Sequence, residues 1–187
     1  MVNVNVEKST FKIILRRLRK DKVAILSASI VVLVIIVAVF APVLALYDPI
    51  TPNYSETLKP PSIEHPFGTD EFGRDVFSRV IYGTRYALLI GLGVVAIEVA
   101  LGVFLGLIAG YFGGWIDQVI MRIVDVFLSI PALVLGLAFA AVLGGGLKNV
   151  IIAAGLIMWT QFARLVRGQV LSIKEELFIE AARALGI

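Results

Sequence analysis

The 25 residues from Val23 to Tyr47 carry no charge. About 20 consecutive apolar residues are enough for a helix to span the hydrocarbon core of a bilayer. A secretory signal peptide has an apolar stretch of only about 7–15 residues, followed by a small-residue cleavage site. Because this run is longer and lacks a clear site of that kind, we predict a first transmembrane helix over residues 23–47.

Basic residues crowd the segment that precedes this run. Residues 1–22 contain seven basic residues and only two acidic ones, Glu7 and Asp21. The seven are Lys8, Lys12, Arg16, Arg17, Arg19, Lys20 and Lys22. Lys and Arg accumulate on the cytoplasmic side of membrane helices, so residues 1–22 are predicted to be a cytoplasmic N-terminus. A basic arm that binds nucleic acid is the alternative, but the basic segment ends where the apolar run begins. The pattern therefore favours the lipid bilayer and no nucleic-acid partner.

The composition argues against a soluble domain and against most cysteine- or histidine-based active sites. Hydrophobic residues make up 59% of the chain and charged residues 17%, whereas soluble domains carry about 25% charged residues. The chain has no cysteine and one histidine, which removes disulfides, thiolate sites and most zinc or triad chemistry. We predict an all-α polytopic membrane protein in the cell (plasma or inner) membrane. We predict no catalytic residues, no metal site and no enzymatic activity.

Residues 48–85 are predicted to form an external loop. They hold five of the seven prolines and carry six acidic against four basic residues. Toward the end of the loop, apolar residues at helical spacing predict a short amphipathic helix over residues 70–82 at the membrane interface. Asp75 and Arg79 are spaced to form an i,i+4 ion pair within it.

Three polar residues of this loop invite a metal-site interpretation. Asp70 and Asp75 could suggest calcium binding, but capping and pairing within the interfacial helix is the favoured explanation. His65 has no cysteine beside it, so we expect a solvated loop residue rather than a metal ligand.

Residues 86–170 hold three further apolar segments, each predicted to span the membrane. They are residues 86–116, 121–147 and 148–170. Pro131 predicts a kink in the second of them, and Gly144–Gly146 predicts a tight turn before the third. Arg122 and Asp125 are spaced to form a structural ion pair. Four crossings return the chain to the cytoplasm.

A glycine series marks one face of the second span. Gly102, Gly106 and Gly110 recur every fourth residue and so share a helix face, and small residues at this spacing let another helix approach closely. Glu98 begins the same series. Because ionisable groups within a membrane are costly, Glu98 either lines a pathway or is a protonated or hydrogen-bonded group that locks helix packing. The glycine face favours packing.

Residues 171–187 are predicted to leave the membrane on the cytoplasmic side. Ser172 and Glu175 have the spacing of a capping box, which predicts a helix that begins there. Leu177, Ala181 and Leu185 form one face of it. The segment has one Phe and no Trp, whereas helices that lie on lipid favour bulky apolar and basic residues. We therefore expect this helix to bind a protein.

Several blocks of the sequence resemble one family in the same order. The segment from Glu180 through Ala181 and Ala182 to Gly186 resembles the signature of the cytoplasmic loop of ABC-importer permeases. Four further blocks resemble the C-type subunit of the oligopeptide/dipeptide/nickel branch: residues 65–75 (HPFGTDEFGRD), 111–117 (YFGGWID), 121–125 (MRIVD) and 159–168 (WTQFARLVRG).

The resemblance implies a subunit of a heteromeric importer. A second permease subunit would complete the pathway, two cytoplasmic ATPase subunits would drive it, and an external binding protein would deliver the solute. Residues 86–170 would be the permease core. Residues 171–187 would be the coupling helix that docks on an ATPase, with Glu180, Ala181, Ala182 and Gly186 as the coupling residues. No cofactor is implied for this chain, since it lacks a phosphate-loop motif and ATP belongs to the partner.

The resemblance also sets expectations that the residues alone leave open. Family members have six transmembrane helices, against four here, so the chain is expected to be truncated after the signature. The substrate could be a dipeptide, an oligopeptide, a nickel chelate or an oligosaccharide. The alternative functions are a membrane anchor or scaffold, a non-functional permease fragment, and an integral membrane enzyme. The enzyme is disfavoured because no nucleophile motif or paired carboxylates lie in the membrane.

Overall fold

A computed structural model describes residues 21–186. The basic residues 8–20 of the predicted cytoplasmic terminus lie outside the described residues. The helices are α1 (Lys22–Leu44), a short 3₁₀ helix (Tyr54–Glu56), α2 (Val76–Phe112), α3 (Gly114–Ser129), α4 (Ala132–Leu143), α5 (Leu147–Lys174) and α6 (Leu177–Ala184). The described chain has no strand beyond an isolated bridge between Thr69 and Asp75. The all-α prediction is confirmed.

Membrane-spanning helices are the main feature of the fold. Helices α1, α2 and α5 are each long and apolar enough to cross a bilayer, and α3 with α4 passes the same criterion as a bent pair. The chain is therefore a polytopic membrane protein with three spans, or four if the pair is one span. It divides between Leu88 and Leu89 into two compact units, and α2 runs from one into the other.

Helix α1 begins at a side-chain cap. The Asp21 carboxylate accepts hydrogen bonds from the backbone N–H groups of Val23 (2.9 Å) and Ala24 (3.2 Å). These bonds satisfy two of the donors that a helix start leaves unpaired. The helix ends at Leu44, three residues before the end of the predicted span. Most of its apolar side chains are exposed, as the lipid-facing surface of a span would be.

The predicted interfacial helix is not a separate element. Helix α2 runs without a break for 37 residues from Val76 to Phe112. Residues 76–82 of the predicted interfacial helix therefore form its first turns, whereas residues 70–75 are not helical. No proline lies between these residues and the apolar stretch, so nothing forces the helix to stop. The break at the GYFGG segment is present, and Gly113 there has a φ of 65°.

The third predicted span is broken rather than kinked. Helix α3 ends at Ser129, Ile130 is extended, and Pro131 precedes the first residue of α4. The two helix axes differ by 93°. A residue before proline is pushed out of the helical region, and proline itself lacks the N–H that would continue the ladder. The Gly144–Gly146 turn lies between α4 and α5 as predicted.

The last predicted helix begins later than the capping-box spacing indicates. Helix α5 continues through Ser172 to Lys174, and α6 begins at Leu177. Ser172 is therefore an interior residue of α5, and Glu175 follows the end of that helix. Nothing between Val170 and Lys174 breaks a helix, so the span extends one turn further.

A small apolar core holds the second unit together. Val124 of α3 packs with Trp159 and Ala163 of α5, and all three are buried. Leu101, Leu105 and Met121 pack around them. The ring of Phe127 meets Trp159 edge to face, with centroids 6.0 Å apart. Helix α5 is thus the central helix of this unit.

Candidate functional site

Helix α6 presents an apolar stripe that no described residue covers. It follows α5 after two residues. The side chains of Leu177, Phe178 and Leu185 are 80%, 66% and 78% exposed. Ala181 is also exposed and lies one turn from both leucines. Leu177 and Ala181 fall on one face of α6, and Leu185 continues the same spacing one residue past the end of the helix.

The other signature residues surround this stripe. Glu180 is exposed at the side of the stripe, and Ala182 is half-buried. Gly186 has a φ of +80°, a conformation that residues with a Cβ rarely adopt. The chain can therefore turn two residues after α6 ends.

Lys174, the last residue of α5, joins this end of the unit to α2. Its ammonium donates hydrogen bonds to the carbonyl oxygens of Gly110 (3.2 Å) and Tyr111 (2.9 Å). Both carbonyls lie in the last turn of α2, where helix carbonyls lack partners and the helix dipole favours a cation. The residue that precedes the turn into α6 is therefore anchored to the end of α2.

A second contact fixes α3 to α5 at the same end. Arg167 binds Asp117 through Nε to Oδ1 (2.5 Å) and Nη2 to Oδ2 (2.6 Å). Two parallel bonds of this kind orient both side chains as well as attracting them. Asp117 is in the first turn of α3, where a carboxylate also favours the helix dipole.

The predicted pairing of Arg122 with Asp125 is wrong. Asp125 instead accepts a hydrogen bond from Arg164 of α5 at 2.7 Å. Both partners of this pair are more than half exposed. Within α3, Arg122 and Asp125 are neighbours in sequence, but Arg164 reaches Asp125 across the helix interface, which the spacing cannot reveal.

The glycine series of α2 lies against α5. A Cβ on Gly106 would lie 2.6 Å from the carbonyl oxygen of Ala163, and one on Gly110 would lie 2.7 Å from Cβ of Val170. A Cβ on Gly102 would collide with Phe162. No side chain fits in these places, so the two helix backbones approach as closely as small residues allow.

The contact between α2 and α5 continues toward the start of α5, where each helix contributes one glycine. A Cβ on Gly93 would meet Ile151 at 2.8 Å, whereas on the α5 side Gly155 faces Ile97 at 2.7 Å. Residue numbers in contact increase along both helices, from Gly93 with Ile151 to Gly110 with Val170. The two helices therefore run parallel within the second unit.

Helices α3 and α4 return the chain between these parallel helices. Asp117 at the start of α3 meets Arg167, whereas Phe127 near its end meets Trp159, so α3 runs antiparallel to α5. Helix α4 packs on the first half of α5. Asn149 closes the turn between them by donating to the carbonyl of Leu143 at 2.5 Å.

An apolar cavity of about 360 Å³ lies between α4 and α5. Leu133, Gly136 and Leu137 form one wall, and Ala153, Ala154 and Ile157 form the other. Glu98, the candidate pathway residue, is not among its lining residues and is half-buried on α2. It forms no ion pair with any residue of the range 21–186.

His65 is not the solvated residue that the sequence predicts. It is 3% exposed and lies between two carboxylates, with Nδ1 3.0 Å from Asp75 and Nε2 3.1 Å from Glu56. The hydrogen bond to Asp75 is the main cause of a raised pKa for His65, which burial opposes. The ring of Tyr47 lies beside the imidazole, with centroids 4.8 Å apart.

Asp75 connects this histidine to the start of α2. Its other oxygen accepts the backbone N–H of Ser78 at 2.7 Å, which caps the helix as expected. Burial raises the pKa of Asp75, but the hydrogen bonds from Ser78 and His65 outweigh it, so the pKa is lowered. The predicted pair of Asp75 with Arg79 does not form.

Arg79 pairs with Asp70 instead. Asp70 also binds Arg74, with Nε at 2.9 Å, and accepts the backbone N–H groups of Phe72 and Arg74. Burial opposes ionisation, but these bonds lower the pKa of Asp70 to about 2. The turn is fixed by Gly73, whose φ is +70° and whose Cβ would collide with the Asn53 carbonyl. No group of His, Cys, Asp and Glu in the described chain is arranged to hold a metal ion.

Sequence reasoning missed the partners of His65, Asp117 and Lys174. His65, Gly68, Asp70, Gly73 and Asp75 lie within one eleven-residue block, and two of these positions require left-handed glycines. That density of turn residues was the available signal for a folded loop. No comparable signal marks Lys174, because its partners are backbone carbonyls more than 60 residues away.

Comparison with known proteins agrees with this architecture. Residues 102–187 match the model of the binding-protein-dependent transport system inner membrane component. Residues 9–61 match the N-terminal transmembrane domain of oligopeptide transport permease C. These matches cover the first span and most of the second unit, including α6.

Individual relatives belong to the same group. A dipeptide transport system permease of Alkalihalophilus pseudofirmus is 44% identical over 92% of this chain and 57% of its own length. A glutathione transport system permease of Escherichia coli is 46% identical over 91% and 57%. An oligopeptide transport system permease of Bacillus subtilis is 39% identical over 95% and 58%. The chain thus spans little more than half the length of these relatives.

The chain belongs to the ABC-importer permeases of the oligopeptide and dipeptide branch, as a C-type subunit. This family consists of transport permeases, which are non-enzymatic membrane components of importers. The family predicted from the sequence blocks is confirmed.

Proposed function

We propose that the chain is a pathway-forming permease subunit of an ATP-driven importer for peptides or related small solutes. The observation that carries this proposal is α6, an amphipathic helix with an uncovered apolar stripe, anchored through Lys174 to the end of α2. A helix of this form suits recognition by a groove on a partner protein. The partner would be a cytoplasmic ATPase, which binds the ATP.

The direction of the helices supports a four-crossing topology. In the second unit α2 and α5 run parallel, so α3 and α4 together must carry the chain back across the thickness that α5 then crosses again. If the basic N-terminus lies on the cytoplasmic side of the cell's inner membrane, four crossings place α6 on the cytoplasmic side as well. The folded loop with His65 is then external, where a binding protein would deliver the solute.

The relatives narrow the solute class without fixing it. They are named for the transport of dipeptides, oligopeptides and glutathione, and all three solutes are peptides. We favour a short peptide over a nickel chelate or an oligosaccharide. A second permease subunit would form the other half of the pathway.

Reconstitution tests this function directly. The chain is placed in proteoliposomes with a partner permease, two ATPases and a binding protein, and uptake of a labelled peptide mixture is measured with and without ATP. We expect uptake that requires ATP, the binding protein and this chain. ATPase attachment without uptake of any solute would instead identify an anchor or scaffold.

A further inference from the structure

The first unit contains a cavity of about 330 Å³ at the start of α2. Pro49 and Ile50, which follow the first span, form one side of it. Arg74, Arg79, Tyr82, Gly83 and Tyr86 form the rest. The cavity therefore combines guanidinium groups, phenol hydroxyls and an apolar wall.

The two arginines share a single carboxylate. Within the described chain, Asp70 is the one acidic residue that either guanidinium contacts. Both oxygens of Asp70 are fully engaged, one by two backbone N–H groups and the other by the two arginines. The low pKa of Asp70 keeps it ionised, so the pair of arginines retains one unneutralised positive charge.

That charge is accessible at Arg79. Its side chain is 42% exposed and uses one terminal nitrogen for Asp70, which leaves N–H donors for a ligand. Asp48, the acidic residue adjacent to Pro49, is committed to its own turn, because it accepts the Ile50 N–H at 2.8 Å and the Thr51 hydroxyl at 2.7 Å.

The surrounding residues suit the level of lipid headgroups. Arg79, Tyr82 and Tyr86 are spaced i, i+3 and i+7 and share one face of the first turns of α2, immediately before its long apolar stretch. Tyrosine rings concentrate at the membrane interface, with the ring toward the lipid and the hydroxyl toward water. An anion bound here would lie where a phospholipid phosphate lies.

We propose that this cavity binds the phosphate of an anionic phospholipid, with Arg79 as its cationic ligand and Tyr82 and Tyr86 beside the glycerol region. Pro49 and Ile50 would contact the start of the acyl chains. A free phosphate shares the anion but would gain nothing from the apolar wall or from the membrane position. This site is independent of the proposed transport function.

Gly83 offers a variant that fills the cavity without touching the charges. It lines the cavity, and a Cβ there meets no atom within 4 Å. Gly83→Leu therefore projects a side chain into the space and leaves the Asp70 cluster intact. Gly91→Leu is the matched control, since Gly91 is on the same helix, is equally open and does not line the cavity.

The experiment measures lipid retained by the purified chain. The chain is extracted in a neutral detergent and incubated with phosphatidylglycerol or phosphatidylcholine, and bound lipid is quantified by mass spectrometry together with the thermal unfolding midpoint. We expect preferential retention of phosphatidylglycerol and a higher midpoint in its presence. Arg79→Gln and Gly83→Leu should each reduce that retention about tenfold, as expected for loss of about 1.4 kcal/mol.

The controls separate the possible outcomes. Gly91→Leu and Arg85→Gln, both outside the cavity, should retain phosphatidylglycerol as the unaltered chain does. Equal retention of the two lipids, or normal retention by Gly83→Leu, would overturn the proposal. Inorganic phosphate that raised the midpoint as much as phosphatidylglycerol would identify a site for free anions instead. If Arg79→Gln does not fold, Gly83→Leu still decides the matter.

Discussion

Arg167 of α5 forms a bidentate ion pair with both carboxylate oxygens of Asp117 of α3, which lies 50 residues earlier in the sequence. The contact joins the first turn of α3 to a point seven residues before the end of α5. Together with Lys174 on the carbonyls of α2, it ties the ends of three helices beside α6.

The Asp117–Arg167 pair should matter more than the neighbouring pair of Asp125 with Arg164. Asp117→Asn should destabilise the chain by about 1–3 kcal/mol, because it weakens a bidentate, half-buried pair. Asp125→Asn breaks an exposed pair and should cost about 0–1 kcal/mol. Thermal unfolding of both variants in the same detergent checks the difference. Equal midpoints for the two would show that the bidentate geometry contributes no extra stability.

Gly106→Leu should separate α2 from α5. A side chain at position 106 has no space, since even a Cβ would lie 2.6 Å from the Ala163 carbonyl. Overpacking typically costs about 1–3 kcal/mol, and here it acts on backbone that cannot yield easily. Size-exclusion profiles of a fluorescent fusion should show loss of the monodisperse peak. Gly91→Leu, which meets open space, should keep it; a normal profile for Gly106→Leu would contradict the close approach.

The folded loop should lose stability as the pH rises. The pKa of His65 is raised above its ordinary 6.5, so its stabilisation is complete below pH 6.5 and disappears as the pH passes the raised value. Asp75, with a pKa lowered from 3.8, stabilises above pH 3.8 and loses this effect only in stronger acid. Protection of the amides of residues 53–75 against hydrogen exchange, taken relative to the intrinsic exchange rate at each pH, should therefore be greatest between these limits.

Replacing the histidine should remove the alkaline part of this profile. His65→Gln cannot gain or lose a proton, so the protection of this segment relative to the intrinsic exchange rate should be lower near pH 6 and vary less between pH 6 and 9. Glu64→Gln changes the exposed neighbour and should leave the profile as it is. A His65→Gln profile that still falls with rising pH would assign the effect to another group.

If α6 docks on an ATPase as proposed, Glu180→Ala should weaken attachment of that ATPase or uncouple hydrolysis from uptake. A charge-assisted contact at the edge of the α6 stripe would contribute roughly 1.5–3 kcal/mol, so about a tenfold or greater loss of affinity is expected. Glu175→Ala, in the turn before α6, should act more mildly. Co-purification of the ATPase and peptide uptake are measured for both. Unchanged values for Glu180→Ala would leave the signature glutamate without a coupling role.

Single cysteines test the orientation, because the chain has none of its own. Ile63 is completely exposed in the loop, and Ser172 is exposed near the end of α5. A membrane-impermeant thiol reagent applied to intact cells should label Ile63→Cys and spare Ser172→Cys until the membrane is opened. Labelling in the reverse order would invert the topology.

The sequence by itself determined the elements that depend on local pattern. Apolar runs with few charges located the spans around residues 23–47, 86–116 and 148–170, since a bilayer demands helices of that length and polarity. The four-residue glycine series indicated a close helix contact, and the order of the signature blocks identified the family. Each of these features is written in consecutive residues.

Only the tertiary structure decided which residues meet across the chain. His65 is buried between Glu56, which precedes it in the loop, and Asp75, which follows it. Asp125 pairs with Arg164 of α5 rather than with Arg122 of its own helix. The parallel course of α2 and α5 followed from packing rather than from hydropathy. Local spacing specifies which face a side chain occupies, but the partner on that face is set by the free energy of the whole packed arrangement.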